Sequence, residues 1–305
     1  MTYSIVARDP ATGELGVAVQ TRWFNVGSAV PWAEPGVGAV ATQSFTEESY
    51  GPLGLALMRE GASATLALEA LLANDSNREV RQVGMVDATG RSAAFTGERC
   101  VVAAGHITAD DLSIQANMME RPTVWPAMAD AYRSTGGALA DRLMVALRAA
   151  EAEGGDVRGR QSAALLVVPA SGPAWSTRYD IRVEDHRAPL DELARLLRLA
   201  RAYEAFDRAD TAVAAGDLAA FAAELRLAHE LAPDDDQITL WTAVSLAGAG
   251  DHVEARRLYA EARLAEPRSG LHLRRFLAAG QVSPEAAPLI EGLTAEDDPA
   301  DETTR

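Results

Sequence analysis

Thr2 is the residue whose type and place carry the most chemistry. Methionine is trimmed from a new chain when the next residue is small, so Thr2 is expected to become the mature N-terminus. A terminal threonine holds a hydroxyl nucleophile and a free α-amine on one residue. An unperturbed α-amine has a pKa near ~8 and can take up a proton at neutral pH. No separate histidine or lysine is then needed to activate the hydroxyl. That suits this chain of 305 residues, which has no lysine, so all 28 basic residues are arginine. The chemistry on offer is attack on a carbonyl through a covalent acyl intermediate.

Other reactive patterns fall short. Ser4 lacks a Gly-x-Ser-x-Gly elbow, and no Gly-x-x-x-x-Gly-Lys phosphate loop occurs. The histidines at 106, 186, 229, 252 and 272 form no pair at ligand spacing, so neither a metal nor a cofactor is expected. Glu184-Asp185-His186 reads as a salt-bridged exit from the first domain. Cys100 has no partner for an internal disulfide and reads as a small buried residue in a strand.

A formal charge of −16 argues against nucleic acid and against an anionic membrane surface. No charged leader precedes an apolar core, and no apolar run reaches the length of a membrane span. With a lone cysteine, the expected location is the cytoplasm.

The elements that must position Thr2 begin at once. Residues 3–8 and 15–21 are β-rich runs around Asp9, Pro10 and Gly13, which reads as a hairpin. Further strands are expected at 36–44, 82–87, 92–96, 100–104, 112–116, 162–168 and 178–184. Helical periodicity covers 51–73, broken near Gly61, then about 122–134 and 137–153. Strands and paired helices in this order suit two sheets between helical layers rather than alternating β-α-β winding. The expected class is α+β.

Beyond residue 188 the composition becomes rich in Ala, Leu and Arg, with almost no strand signal. Gly216-Asp217 and Gly250-Asp251 are 34 residues apart, as are Pro233 and Pro267, and Ala228 and Ala262. This period resembles the tetratricopeptide repeat. The expected domains are 1–188, a helical-repeat domain at 189–285, and an acidic, disordered tail at 286–305.

The segments TYSIVARDPATGELGVAVQTR, VGSAVPWAEPGVGAVATQS, GGDVRGRQSAALLVV and YDIRVEDHRAPLDEL resemble the DUF1028 family. That uncharacterised group is assigned to the N-terminal-nucleophile hydrolases, and the resemblance covers about residues 2–195. It implies a four-layer αββα sandwich in which the nucleophile begins a central strand, as in proteasome β subunits. It also implies the other site residues. Asp156 and Ser162 would orient the terminal amine and relay its proton, although Asp156 equally suits a cap on backbone amides. The proteasome pattern calls for a lysine after the hairpin, and Arg22 is the only replacement on offer there. It would supply charge but no proton transfer, or else pair with a carboxylate. Gln115-Ala116-Asn117 stands where the family commonly shows Gln-Gly-Asn. Asn117 is the expected oxyanion donor, unless these carboxamides tie strand ends together. Gln115 and His106 are the expected substrate contacts.

Two functions are therefore compared. One is an amidohydrolase acting on a small amide with Thr2. The other is a non-catalytic scaffold whose helical tail holds a partner peptide or protein. A homodimer is expected in either case.

Overall fold

The computed structural model describes residues 2–282 and 287–295. The chain divides into two compact units, 1–196 and 197–305.

The first unit is mixed α and β, and both of its sheets are antiparallel. One has six strands: β1 (Thr2–Arg8), β2 (Leu15–Thr21), β7 (Gly105–Ala109), β8 (Leu112–Asn117), β9 (Ser162–Val168) and β10 (Tyr179–Val183), in the order β10-β9-β2-β1-β8-β7. The other has four: β3 (Pro31–Glu34), β4 (Gly38–Ser44), β5 (Arg81–Asp87) and β6 (Ser92–Thr96), in that order. Helices α1 (Tyr50–Arg59) and α2 (Ala64–Ala73) pack on the four-stranded sheet, and α3 (Val124–Ser134) and α4 (Leu139–Ala152) on the six-stranded one.

Strand alternation explains how one sheet serves two layers. On β4 and β5, Val40, Val83 and Met85 join the core under α1 and α2. Their neighbours Ala39, Ala41 and Val86 face the other way and meet Val17, Val19 and Leu166. On β1, Val6 belongs to this inter-sheet core, whereas Tyr3 points back and donates a hydrogen bond to Glu151 on α4 at 2.8 Å. Burial, reinforced by Glu151, pushes the Tyr3 phenol well above its ordinary pKa, so it remains a donor.

The sequence reading differs from the structure at a few places. Strand β3 is additional, because Pro-Trp-Ala-Glu carries no alternating signal. The strand expected at 100–104 lies instead at 105–109, so Cys100 is buried in the preceding turn rather than in a strand.

The unit boundary falls inside α5 (Pro189–Ala214) rather than before it. The first turn of α5 is tied to α4 by Arg148, whose guanidinium lies 3.0 Å from Asp191. The second unit continues with α6 (Leu218–Leu231), α7 (Asp236–Gly248), α8 (His252–Ala265), α9 (Ser269–Ala278) and α10 (Ala287–Thr294). Helices α6 and α8 start 34 positions apart and have 14 residues each. Asp217 and Asp251 cap them through the amides of Ala220 and Glu254. The preceding Gly216 and Gly250 have φ of 76° and 86°, which a side chain would oppose. The repeated Gly-Asp is thus a repeated helix start. The tail expected to be disordered from 286 is helical over 287–294, and 296–305 lie outside the described residues. No helix among the described residues is long and apolar enough to cross a membrane.

Candidate active site

The inter-sheet layer is apolar along most of its length and polar where β1 begins. Thr2, Ser4, Gln43, Gln82, Gln115 and Asn117 are all buried there. In so dry a place each polar group needs a partner. The Gln43 amide donates to the Thr2 carbonyl at 3.1 Å and to Gln82 Oε1 at 2.8 Å. Asn117 Nδ2 donates to the same two acceptors, at 3.4 and 2.8 Å. Ser4 Oγ bridges Gln43 Oε1 at 2.7 Å and Gln115 Nε2 at 2.6 Å. Gln115 crosses toward β5 because residue 84 there is glycine: a Cβ on Gly84 would sit 2.1 Å from Gln115 Oε1.

This network fixes the backbone of Thr2, a residue that lines a cavity of about 440 Å³. Thr2 Oγ1 donates to Thr21 Oγ1 at 3.2 Å, and the two residues pair in register across β1 and β2. Arg158 also lines the cavity, with Nη2 3.5 Å from Thr21 Oγ1. It is held from behind by Asp156, whose carboxylate is fully buried and lies 2.7 Å from Nη2. Asp156 further accepts from the backbone amides of Arg22 at 3.1 Å and Arg158 at 2.9 Å. A hydroxyl pair with a braced guanidinium beside it can hold a substrate carbonyl and stabilise negative charge developing on it.

The far wall is the loop after β2, pinned by Ser162. Its hydroxyl donates to the Trp23 carbonyl at 2.5 Å and accepts from the Val26 amide at 3.1 Å. Asn25 and Ser44, both in the lining, adopt left-handed φ of 53° and 73°. Met118, next to Asn117, has φ 56°. Such non-glycine conformations cost of order 1–3 kcal/mol each, and they cluster where surroundings impose them.

The model of DUF1028, a family of unknown function, matches residues 2–193. The chain belongs to the DUF1028 family. It is similar to the crystal structure of protein SPO2555 from Silicibacter pomeroyi, itself matched to DUF1028, at 31% identity and a TM-score of 0.59. The match covers 65% of this chain and 88% of that one. No curated protein matches the chain.

Within this DUF1028 domain the residues singled out from the sequence separate into three groups. Thr2 is in the cavity. Asp156 lies behind Arg158, as its brace.

Asn117 and Gln115 are buried in the network, with neither in the cavity lining. Both Asn117 amide hydrogens are committed to the Thr2 carbonyl and Gln82, so Asn117 holds the Thr2 backbone and has no amide hydrogen left for an oxyanion. Gln115 is fully buried and contacts no substrate space. Ser162 gives its proton to Trp23, so it holds the loop and relays nothing to Thr2.

Arg22 and His106 lie elsewhere. The Arg22 guanidinium turns out to Gln161, and the cation in the lining is Arg158, two residues beyond Asp156 in the same turn. His106 is exposed on β7 and pairs with Thr96 at 2.8 Å. Among the described residues no group of three or more His, Cys, Asp or Glu could hold a metal ion.

Thr21, Gln43 and Gln82 were missed by sequence reasoning. Their signal was a polar residue at a buried position of an otherwise apolar strand, and only the pairing of the sheets reveals which face each one takes.

Proposed function

We propose that this protein is an N-terminal-nucleophile amidohydrolase. After removal of Met1, Thr2 Oγ1 attacks the carbonyl of a small amide while the Thr2 α-amine takes the hydroxyl proton. The amine then passes that proton to the departing nitrogen as the C–N bond breaks. A water enters, gives a proton to the amine and its hydroxide to the acyl carbon, and the ester to Thr2 opens with the proton returned to Oγ1. Arg158 supplies the fixed positive charge that lysine supplies elsewhere in the superfamily.

The observation that carries the proposal is the place of Thr2. Thr2 lines the cavity while its carbonyl is locked by Gln43 and Asn117. Two further features support it. Two face-to-face sheets, each bearing a helix pair on its outer side, agree with the αββα sandwich of the superfamily. Asn117 Oδ1, on the residue paired with Thr2, is buried with no partner among the described residues. The α-amine created by Met1 removal carries N–H donors of the kind it can take.

The test is the intact mass of the full chain before and after treatment with a β-lactone. Loss of Met1 and one adduct on Thr2, absent in Thr2→Ala, is the expected result. Retained Met1, or a trimmed chain that takes no label, would count against catalysis.

The scaffold reading has one observation in its favour, the 34-residue recurrence of capped helix starts in the second unit. We propose that this unit is tetratricopeptide-like and serves as a docking platform for a peptide or a second copy. It becomes the primary function if Met1 is retained.

A further inference from the structure

The cavity has two walls of different chemistry. Near Thr2 it is polar and carries Arg158, whose charge is engaged by buried Asp156. Toward solvent it is lined by Trp23, Phe24 and Phe45, with exposures of 69%, 61% and 60%. Rings so open are costly to leave in water unless something covers them. The loop carrying Trp23 and Phe24 is held in place at both ends. Ser162 holds the Trp23 carbonyl and the Val26 amide, and the Asn25 amide donates to the Glu184 carbonyl at 3.0 Å.

Glu48 shares this rim, and among the described residues it and Arg158 carry the ionisable side chains of the lining. Its carboxylate is exposed and makes no hydrogen bond or ion pair among the described residues. Neighbouring Glu47 approaches Arg81 at 3.8 Å, which leaves Glu48 as the unengaged charge. Aromatic faces and a carboxylate around one opening attract the same ligand chemistry, a cation with an apolar body. The formal charge of −16 adds long-range attraction of the same sign.

We infer that the substrate is an amide bearing an apolar or aromatic body and a protonated amine or guanidine, the cation held at the rim by Glu48 among Trp23, Phe24 and Phe45. The inference rests on the reading of this cavity as the reaction site. The carbonyl reaches Thr2 and Arg158, and the cationic end stays outside. Placement of both charges also gives direction. An anionic group at the rim meets Glu48, so carboxylate-bearing amides are disfavoured.

The experiment compares three probes that differ in charge, 2-phenylethylammonium, 2-phenylethanol and phenylacetate, by calorimetric titration of the full-length protein. None has an amide, so binding is read whether or not Thr2 reacts, and lactone labelling reports separately on the nucleophile. The ammonium is expected to bind about twofold to fivefold tighter than the alcohol, the scale of an exposed cation–π contact, and to slow lactone labelling of Thr2. Glu48→Gln should erase the preference and Glu48→Lys should turn it toward phenylacetate. Both variants are at an exposed position, and their thermal melts check that the fold is intact. Equal binding of ammonium and alcohol, no binding of the ammonium, or a preference unchanged in both Glu48 variants would overturn the inference.

Discussion

Thr2 and Thr21 face each other in register at the ends of β1 and β2, hydroxyl to hydroxyl at 3.2 Å. The pairing holds the Thr2 hydroxyl in place at the start of β1. Arg158 approaches the same Thr21 oxygen, and Thr21 therefore links Thr2 to the guanidinium. Thr21→Val keeps the shape and removes the acceptor. It is expected to slow lactone labelling of Thr2 by about tenfold to a hundredfold, the scale of a misoriented reacting group. Thr21→Ser should restore most of the rate. Time-resolved mass spectrometry of the labelled chain measures both.

Arg158 and Arg22 make a paired test of which cation serves the site. Asp156 is fully buried, and Arg158→Gln leaves its carboxylate with backbone amides alone. Removing one partner of such a pair costs about 3 kcal/mol, with the guanidinium's partial exposure placing it toward the lower end of the usual range. Urea denaturation should show that loss, together with slower labelling of Thr2. Arg22→Gln, whose side chain points out to Gln161, should change stability by less than about 0.5 kcal/mol and leave labelling unaffected.

Asp87 gives the fold an acid-sensitive joint away from the cavity. Burial pushes its carboxyl pKa up, but hydrogen bonds from the Thr89 hydroxyl and the amides of Ala64, Thr89 and Arg91 outweigh that and hold it below the ordinary value. The amide of Ala64 opens α2, so the carboxylate ties β5 to that helix at 3.1 Å. A depressed folded-state pKa adds stability above the unfolded-state value, near ~4, and that stability is lost as pH falls through the folded-state value. Urea midpoints measured from pH 6 down to pH 3 should fall more steeply for the parent than for Asp87→Asn. Equal slopes would show that Asp87 does not supply the dependence.

Local elements were legible in the sequence where pattern and turn chemistry agree. The β1–β2 hairpin and the break between α1 and α2 were read from neighbouring residues, and the Gly-Asp pairs from their 34-residue recurrence. Strand β3 was not, since a four-residue segment beginning with proline has too little alternation to register. Of the residues expected at the site, Thr2 lines the cavity, while Asp156, expected beside the terminal amine, braces Arg158. Asn117 and Ser162 were noticed for the right chemistry but given the wrong partners, because whether a carboxamide faces a cavity or a buried network depends on the opposing sheet. Arg158 stood in the same turn as Asp156 and was passed over for Arg22, which is nearer in sequence to the hairpin. Contacts between residues more than a hundred positions apart decided each of these, and no local pattern encodes them.

Gly84 is the place where that opposing-sheet relationship can be tested most directly. It is the gap in β5 that lets Gln115 reach across from β8, and an added Cβ would lie 2.1 Å from Gln115 Oε1 and 2.6 Å from Ser113 Oγ. The carboxamide end is flexible in principle, but here it is fully buried and bonded to Ser4 and Ser113. Gly84→Ala must therefore break at least one of those hydrogen bonds or part the sheets. A cost of about 2–3 kcal/mol is expected from overpacking and an unpaired buried amide. Gln115→Ala in the Gly84→Ala background should recover part of it, because the shorter side chain vacates the space the methyl needs. Urea denaturation of the two single variants and the double variant measures the coupling. Additive losses would mean that Gly84 is glycine for some reason other than making room for Gln115.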